Sequence, residues 1–341
     1  MTKTTVSIII PTYNAANRIE ATLSSIAAQD YENMEIIVAD DGSSDNTCGV
    51  VENILKNSAR DFKIIRHEAN MGVSAARNTG LGAASGEYVV FFDADDLADQ
   101  NFVSVLLKTI TENDSDAAFC GFRFRFEDTG KEREVPVKLN LSRLYSAEEL
   151  TVMYILKRIK PAIWSTIFKT SFLKTIDLEF TVGCRFGEDS EFLTKALSRC
   201  DLIHFSTGCH YIYVRHKDAT SSITLQTLDK YLHRYSDSAE ATCRAARYLM
   251  EHAESPKVRD VAMNFMLAKG LIETLNVAAR RHYEAEFYRK LSSPETRRAL
   301  LASHRFFFQK PEVFIKAAFL LIAPRLYFRM LSKPFKVRSK A

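Results

Sequence analysis

This chain of 341 residues, with 46% hydrophobic and 26% charged residues, has the composition of a globular protein, which excludes global disorder, and roughly 150 residues per domain predicts two domains. None of the six cysteines are spaced as C-x-x-C, so the sequence indicates neither a zinc site nor a dithiol redox motif and favours a reducing compartment. The net charge of +4 comes from one end of the chain, because residues 304–341 carry nine Lys and Arg and one acid.

The N-terminal segment begins with a short apolar run, Val6–Ile10, which Pro11 ends at once. This run is too short for a signal peptide. No stretch of the chain reaches the ~18 apolar residues of a membrane-spanning helix. We therefore expect a protein that is made and kept in the cytosol.

Strand-like and helix-like segments alternate through the first third of the chain. The strand-like runs are Val6–Ile10, Glu35–Ala39, Phe62–Ile65 and Tyr88–Phe92. The segments between them include apolar residues at helical spacing. This alternation predicts a parallel α/β sheet, in which ligands bind beyond the carboxyl ends of the strands.

After the first third of the chain, the sequence predicts strands and helices up to about residue 214 and only helices from about residue 226. The predicted elements are a strand at 117–126, a hairpin or mobile loop at 127–138, helices at 146–160 and 189–199, a strand at 211–214, and helices over about 226–300. The alternating Phe and Arg residues at the end of the 117–126 segment are typical of a strand with one apolar face.

Polar residues follow three of the strands in the first third. They are Thr12-Tyr13-Asn14, Asp40-Asp41 and Asp93-Ala94-Asp95-Asp96. Carboxylates hold Mg²⁺ or Mn²⁺ together with substrate phosphates, and a carboxylate beside a Tyr ring can bind a nucleotide base. Taken alone, an Asp-x-Asp turn is better explained as a solvated turn that caps a helix. Three such turns at one sheet edge predict a nucleotide site.

Two common nucleotide-binding designs are disfavoured by the sequence. A dinucleotide-binding fold needs G-x-G-x-x-G after the first strand, where this chain has Pro11-Thr-Tyr-Asn-Ala-Ala16. The phosphate loop G-x-x-x-x-G-K-[ST] is absent as well.

Five segments, in this order, resemble glycosyltransferase family 2. They are residues 6–14, 39–45, 70–78, 84–96 and 187–192. The resemblance extends over residues 6–192 and fades after about residue 225. It implies an α/β fold of the GT-A type, a Rossmann-like mixed sheet flanked by helices, here with a C-terminal helical extension.

The resemblance also implies a role for particular residues. Contacts to the nucleotide sugar are expected from Pro11, Thr12, Tyr13, Asn14, Asp40, Asp41, Arg77, Asp93, Ala94 and Asp95. The D-x-D element Asp93–Asp95 would hold Mn²⁺ or Mg²⁺, with Asp96 as a further candidate ligand. Asp189 would be the catalytic base, with Glu188 beside it. The alternative for this acidic pair is a helix N-terminus that favours acids because of the helix dipole.

Three more residues are candidates for contacts with the acceptor or the diphosphate. Trp164 either stacks on a sugar or belongs to the core. Arg215 or His216 either reaches the diphosphate or lies in an ordinary strand and surface loop. The sequence does not separate these interpretations.

The implied activity is an inverting transfer of one sugar from a nucleotide sugar, with UDP as the expected nucleotide, to a hydroxyl of a glycan or lipid-linked acceptor. Such a step suits surface polysaccharide biosynthesis. A single displacement requires a carboxylate to take the acceptor proton. The alternatives are a nucleotidyltransferase and a catalytically silent protein that binds nucleotide sugars.

The sequence predicts four segments. Residues 1–110 would bind the donor, 111–225 would hold the acceptor and the base, 226–303 would be a helical extension, and 304–341 a basic amphipathic tail. Basic residues among apolar ones in this tail predict peripheral binding to the cytoplasmic face of a membrane. The alternative is a helix packed on the catalytic domain. Nucleic acid is not expected as a partner, because apolar residues dominate the tail.

Overall fold

The computed structural model describes residues 5–216, 225–306 and 309–332, and of residues 225–231 the backbone alone. Parts of the predicted acceptor half (217–224) and of the predicted tail (307–308 and 333–341) lie outside the described residues. The chain forms two compact units. Unit 1 comprises Met1–Arg185 and Phe192–Thr220, and unit 2 comprises Phe186–Glu191 and Ser221–Ala341.

Unit 1 is built on one mixed sheet of nine described strands in the order β3-β2-β1-β4-β8-β6-β9-β5, with β7 paired to β6. The strands are β1 (Val6–Thr12), β2 (Met34–Asp40), β3 (Asp61–Arg66), β4 (Tyr88–Phe91), β5 (Leu97–Ala98), β6 (Ala117–Phe126), β7 (Glu132–Val135), β8 (Thr166–Lys169) and β9 (Ile203–Arg215). The first four strands are parallel, as the sequence predicted. The sheet as a whole is mixed because β8 runs antiparallel to β4 and β6.

Seven α-helices lie between β1 and β9 in the chain, and the last of them begins in unit 2. They are α1 (Ile19–Ala27), α2 (Thr47–Lys56), α3 (Val73–Ala83), α4 (Phe102–Thr111), α5 (Ala147–Ile155), α6 (Thr170–Thr175) and α7 (Glu188–Leu197). In α1, Ile19, Leu23 and Ile26 recur at helical spacing and are fully buried. The predicted hairpin is confirmed, because β7 pairs with β6.

The core of unit 1 lies around β1, β2 and β4. All residues of these three strands are buried, as expected of parallel strands covered on both faces. Burial of each Ile or Val side chain here contributes about 1.5–3 kcal/mol.

One carboxylate lies within this apolar sheet, at the amino end of β2. Glu35 accepts hydrogen bonds from the Ser7 hydroxyl (2.6 Å) and the Ser85 backbone N–H (2.7 Å), and it pairs with Lys63 Nζ at 2.9 Å. Burial acts to raise the pKa of Glu35, but these bonds outweigh it and lower the pKa to about 2. The backbone N–H groups of Ser85 and Gly86, just before β4, therefore bind Glu35 and anchor the amino end of the sheet.

Unit 2 is helical. Its described helices are α8 (Leu225–His252), α9 (Pro256–Val261), α10 (Leu267–Arg280), α11 (Glu284–Ser292), α12 (Pro294–Ala302), α13 (Pro311–Ile322) and α14 (Pro324–Leu331), with a π-helical segment, Ala262–Met266, joining α9 to α10. Ser255 and Ser293 cap α9 and α12, each followed by proline at the first helical position. None of the helices in the described ranges has the length and apolar character needed to cross a membrane.

Candidate active site

The loops that follow β1 and β2 are tied together at the carboxyl edge of the sheet. Asn14 has a left-handed backbone (φ 49°), which asparagine tolerates better than most residues. Its side-chain oxygen accepts from the Ser44 N–H at 2.9 Å, and its own N–H donates to the Ser43 hydroxyl at 2.9 Å. Tyr13 is 50% exposed beside this link, so its ring is open to a ligand.

The side chain of Asp40 is buried below the surface of this edge. Its side chain is fully buried, accepts from the Ser43 N–H (3.1 Å) and the Thr12 hydroxyl (3.3 Å), and lies 3.4 Å from Arg66 Nε. The sequence grouped Asp40 with the residues that contact the donor. In the described structure its carboxylate accepts hydrogen bonds that hold the β2 loop in shape, and the donor contact remains a prediction from the sequence resemblance.

Asp41 fixes the loop that leads into α3. One carboxylate oxygen accepts from the Met71 N–H (2.9 Å) and contacts His67 Nδ1 (2.8 Å), and the other accepts from the Gly72 N–H (2.7 Å). Gly72 has φ 93°, a conformation that a side chain would strain. A carboxylate has about four acceptor positions, so three occupied positions leave one for a base N–H.

We call Asp93–Asp96, which follows β4, the acid turn. The Thr22 hydroxyl of α1 holds it, because its single proton is shared between two carbonyl acceptors, those of Ala94 (3.0 Å) and Asp96 (2.8 Å). The Asp96 N–H also donates to the Asp93 carbonyl at 3.3 Å. Sequence patterns did not single out Thr22, because a threonine within an amphipathic helix carries no signal of what it contacts.

Arg77 of α3 joins the acid turn to the helix that follows the Asp41 loop. Its Nη2 donates to Asp93 Oδ1 at 2.9 Å, and its side chain is almost completely buried. Its guanidinium also lies 5.2 Å from the centre of the Phe180 ring. The next residue, Asn78, donates to the Phe180 carbonyl (2.9 Å) and accepts from its N–H (2.8 Å). Phe180 is a contact that the sequence did not indicate.

Asp95 is the most accessible carboxylate of the acid turn, with 46% of its side chain exposed against 24% for Asp93. Burial, and then the neighbouring Asp93 carboxylate, raise the pKa of Asp95. His216 Nε2 lies 3.7 Å from Asp95 Oδ2. Two carboxylates that repel each other at a partly open turn gain from a divalent cation between them, so these residues fit one.

The described ranges contain no group of three or more His, Cys, Asp or Glu side chains arranged to enclose a metal. Mg²⁺ is commonly held by one or two carboxylates together with substrate phosphates and water. Asp93 and Asp95 would be the protein ligands in that arrangement.

Asp96, which the sequence resemblance offered as a further candidate ligand, has surroundings different from those of Asp93 and Asp95. It is 1% exposed, and its two oxygens accept from the Tyr211 hydroxyl (2.6 Å) and the Val214 N–H (2.8 Å). Burial, and then the Asp93 carboxylate, raise the pKa of Asp96 to about 8. A buried carboxyl with both oxygens engaged is an anchor.

The structure separates the three further candidates. Trp164 is 8% exposed and stacks on Tyr211 with ring centres 4.2 Å apart, so its ring lies in the core. The Arg215 guanidinium lies 4.6 Å from the centre of the Phe124 ring. His216 lies beside Asp95, as described above, and its Nδ1 is 3.3 Å from a Glu127 carboxylate oxygen.

Glu188 and Asp189 lie in the first turn of α7, which begins in unit 2. Glu188 is buried and Asp189 is partly buried. A third acid of this turn, Glu191, pairs with Arg244 of α8 at 2.7 Å. Gly187, with φ 90°, precedes the helix. The catalytic role of Asp189 remains a prediction from the sequence resemblance.

The mixed α/β sheet brings the loops after β1 and β2 and the acid turn after β4 to one carboxyl edge. A sequence model described as "Glycosyl transferase family 2" matches residues 7–172. The chain belongs to glycosyltransferase family 2.

Two relatives show how far the similarity extends. The chain is 30% identical to "Uncharacterized glycosyltransferase EpsJ" of Bacillus subtilis over 238 residues, which are 67% of each chain. It is 41% identical over 108 residues to "UDP-Glc:alpha-D-GlcNAc-diphosphoundecaprenol beta-1,3-glucosyltransferase WfgD" of Escherichia coli, covering 32% of this chain and 42% of that protein.

Among solved structures, S. aureus TarS 1–349 in complex with UDP-GlcNAc is similar in fold. The TM-score is 0.61 at 24% identity, over 96% of this chain and 88% of that one.

Proposed function

We propose that this protein is an inverting, metal-assisted glycosyltransferase that moves one sugar from a UDP-sugar to a hydroxyl of a lipid-linked or glycan acceptor, as in surface polysaccharide biosynthesis. The observation that carries the proposal is the acid turn, where Asp93 is held by buried Arg77 and Asp95 remains accessible beside it. The Asp41 loop lies two strands away at the same edge, which suits a nucleotide with its diphosphate towards the acid turn.

The proposed reaction is a single displacement at the anomeric carbon. The acceptor oxygen forms a bond to that carbon while the bond to the nucleoside diphosphate breaks, and the acceptor proton passes to the carboxylate of Asp189. A divalent cation at Asp93 and Asp95 would offset the charge on the departing diphosphate. Tyr13 would stack on the base, and the remaining acceptor position of Asp41 would bind a base N–H.

The relatives support the substrate classes. WfgD is named for a UDP-sugar donor and an acceptor attached to diphosphoundecaprenol. The similarity covers 32% of this chain. The inference therefore extends to the class of donor and the class of acceptor.

Release of a nucleoside diphosphate from one donor in a panel of UDP-, GDP- and dTDP-sugars is the expected result. The reaction would be assayed with MnCl₂ or MgCl₂, with membrane lipid extract as the acceptor source. Excess chelator is expected to lower the rate at least about 100-fold, since the charge on the leaving group would no longer be offset. Release that continues undiminished in chelator would contradict the metal-assisted mechanism.

The same assay separates the alternative activities. A nucleotidyltransferase would release pyrophosphate from a nucleoside triphosphate. A silent binding protein would bind one nucleotide sugar saturably and release nothing with any acceptor extract.

We also propose that α13 and α14 bind the cytoplasmic face of an anionic membrane. Val313, Ala317 and Leu320 of α13 are buried within unit 2, and so is Tyr327 of α14, whose hydroxyl donates to Asn276 at 2.7 Å. The opposite face remains exposed in the described structure. Its apolar members are Ile315, Ile322, Leu326 and Met330, and its basic members are Lys316, Arg325 and Arg329. Apolar side chains flanked by cations suit an anionic interface.

Substitution of two exposed apolar residues tests this surface. Ile322→Asp combined with Leu326→Asp is expected to reduce binding to vesicles of phosphatidylglycerol about 10-fold or more in a sedimentation assay, because both side chains would have to enter the interface. Wild-type binding should be weaker for pure phosphatidylcholine.

The matched control is Leu144→Asp in unit 1, which also replaces an exposed leucine by an acid. It should bind vesicles like the wild type. Equal vesicle binding by the double variant and the wild type would refute the membrane proposal without touching the proposed activity.

A further inference from the structure

The acid turn continues directly into a short ladder with the last long strand of the sheet. β5 pairs antiparallel with β9, with Leu97 opposite Ile212 and Ala98 opposite Tyr211. Two residues of ladder provide few hydrogen bonds, so this pairing alone would fix the preceding turn poorly. Asp96, the residue directly before β5, adds two more bonds to the same strand.

These two bonds reach β9 at separate points. One Asp96 oxygen accepts from the Tyr211 side chain at 2.6 Å, and the other accepts from the backbone N–H of Val214 at 2.8 Å, three residues further on. Because the points are separate, the carboxylate resists both rotation and sliding of the acid turn relative to β9.

The Tyr211 hydroxyl is itself held in place. The residue is fully buried, with its ring stacked on Trp164 at 4.2 Å and packed against Phe92 (4.8 Å) and Phe102 (5.9 Å). His216 directly follows β9, and its ring lies 3.7 Å from Asp95. The packed ring of Tyr211 therefore fixes the position of its hydroxyl, and the hydrogen bond from this hydroxyl to Asp96 fixes the position of the acid turn.

We propose that Asp96 and Tyr211 form a positioning pair, which touches neither substrate nor metal but fixes the acid turn on β9 so that Asp93 and Asp95 are presented together. This inference rests on the proposed function in assigning donor binding to those two carboxylates. The claim about the order of the turn itself rests on geometry alone.

Tyr211→Phe is the sharpest test, because it removes one hydroxyl and keeps the packed ring. Amide hydrogen exchange, followed by mass spectrometry on peptides that contain residues 93–98, is expected to become several-fold faster than in the wild type. Local opening of a segment is what such exchange reports. Unchanged exchange in these peptides would overturn the proposal.

Tyr327→Phe is the matched control, since it also deletes a buried tyrosine hydroxyl with a 2.7 Å hydrogen bond, but in unit 2. It should leave exchange in residues 93–98 at the wild-type rate. Equal acceleration in both variants would show a general loss of stability and would also overturn the proposal.

Metal dependence separates positioning from direct ligation. Tyr211→Phe and Asp96→Ala are each expected to raise the half-saturating Mn²⁺ concentration for UDP binding about 10-fold, as loss of a residue that orients metal ligands does. Asp96→Asn should be milder, since its amide can still accept from Val214 and donate to the tyrosine oxygen.

If Asp96 were a ligand, Asp96→Asn would be as damaging as Asp96→Ala while Tyr211→Phe would have no effect, and the proposal would fall. The double variant Tyr211→Phe/Asp96→Ala should be no worse than Asp96→Ala alone, because the two residues act as one unit. Failure of the wild type to bind UDP or any other nucleoside diphosphate would count against the proposed function, while hydrogen exchange would still decide the positioning claim.

Discussion

Asp189→Asn is expected to lower the rate of sugar transfer about 10²–10⁴-fold, the usual contribution of a general base, while nucleotide binding stays within about twofold. The amide keeps the size and polarity of the side chain but cannot take the acceptor proton. Steady-state release of nucleoside diphosphate and calorimetric titration with the nucleotide, both on the same preparation, measure the two effects.

The competing explanation of Asp189 is favourable placement of an acid in the first turn of α7. Such an acid contributes about 0.3–1 kcal/mol of stability. Glu284→Gln, in the first turn of α11, is the matched control because it removes the same kind of charge from a helix start. If Asp189→Asn resembles this control, with a small change in melting temperature and full activity, the assignment of Asp189 as the base is wrong.

Alanine at Asp93 and at Asp95 should give similar losses of activity, but only the substitution at Asp93 should lower stability. Each is expected to lower kcat/KM at least about 100-fold, because each would remove a carboxylate that helps to offset charge on the diphosphate. Asp93→Ala also removes the carboxylate that pairs with buried Arg77, at a cost of about 3 kcal/mol. Asp95→Ala relieves repulsion with Asp93 at a half-exposed position and should leave the unliganded protein as stable as before.

Urea unfolding without nucleotide or metal measures the stability difference, and kcat/KM at saturating Mn²⁺ measures the shared loss. Equal stability of the two variants would contradict the structural role given to the Arg77–Asp93 pair. Full activity of Asp95→Ala would remove Asp95 from the proposed metal site.

Much of the secondary structure of unit 1 could be predicted from patterns of neighbouring residues. Strands β1, β2 and β4 could be predicted because strands buried on both faces are short runs of apolar residues that end in turn-forming residues. The meeting of the Asn14, Asp41 and Asp93 loops at one edge followed from parallel strand direction alone. The family resemblance added roles for residues such as Arg77, which composition and spacing would have left as an ordinary helix residue.

The different surroundings of the neighbouring acids Asp93, Asp95 and Asp96 are determined only by the tertiary structure. Asp93, Asp95 and Asp96 lie on one turn and look equivalent in the sequence, yet they meet Arg77, solvent and Tyr211 respectively. The two protein partners, Arg77 and Tyr211, come from different parts of the chain, the latter 115 residues away, and a carboxylate side chain carries no local sign of which partner it will meet.

The surroundings of Trp164 also could not be predicted from the sequence. By itself the sequence determined the parallel sheet and the edge at which its polar turns meet, because strand periodicity and turn chemistry are local properties. Whether an indole ring stacks on a sugar or on Tyr211, and whether a carboxylate is exposed or anchored, depends on long-range packing. Burial, charge partners and hydrogen bonds at these positions are supplied by strands distant in the chain, and only the folded structure brings them together.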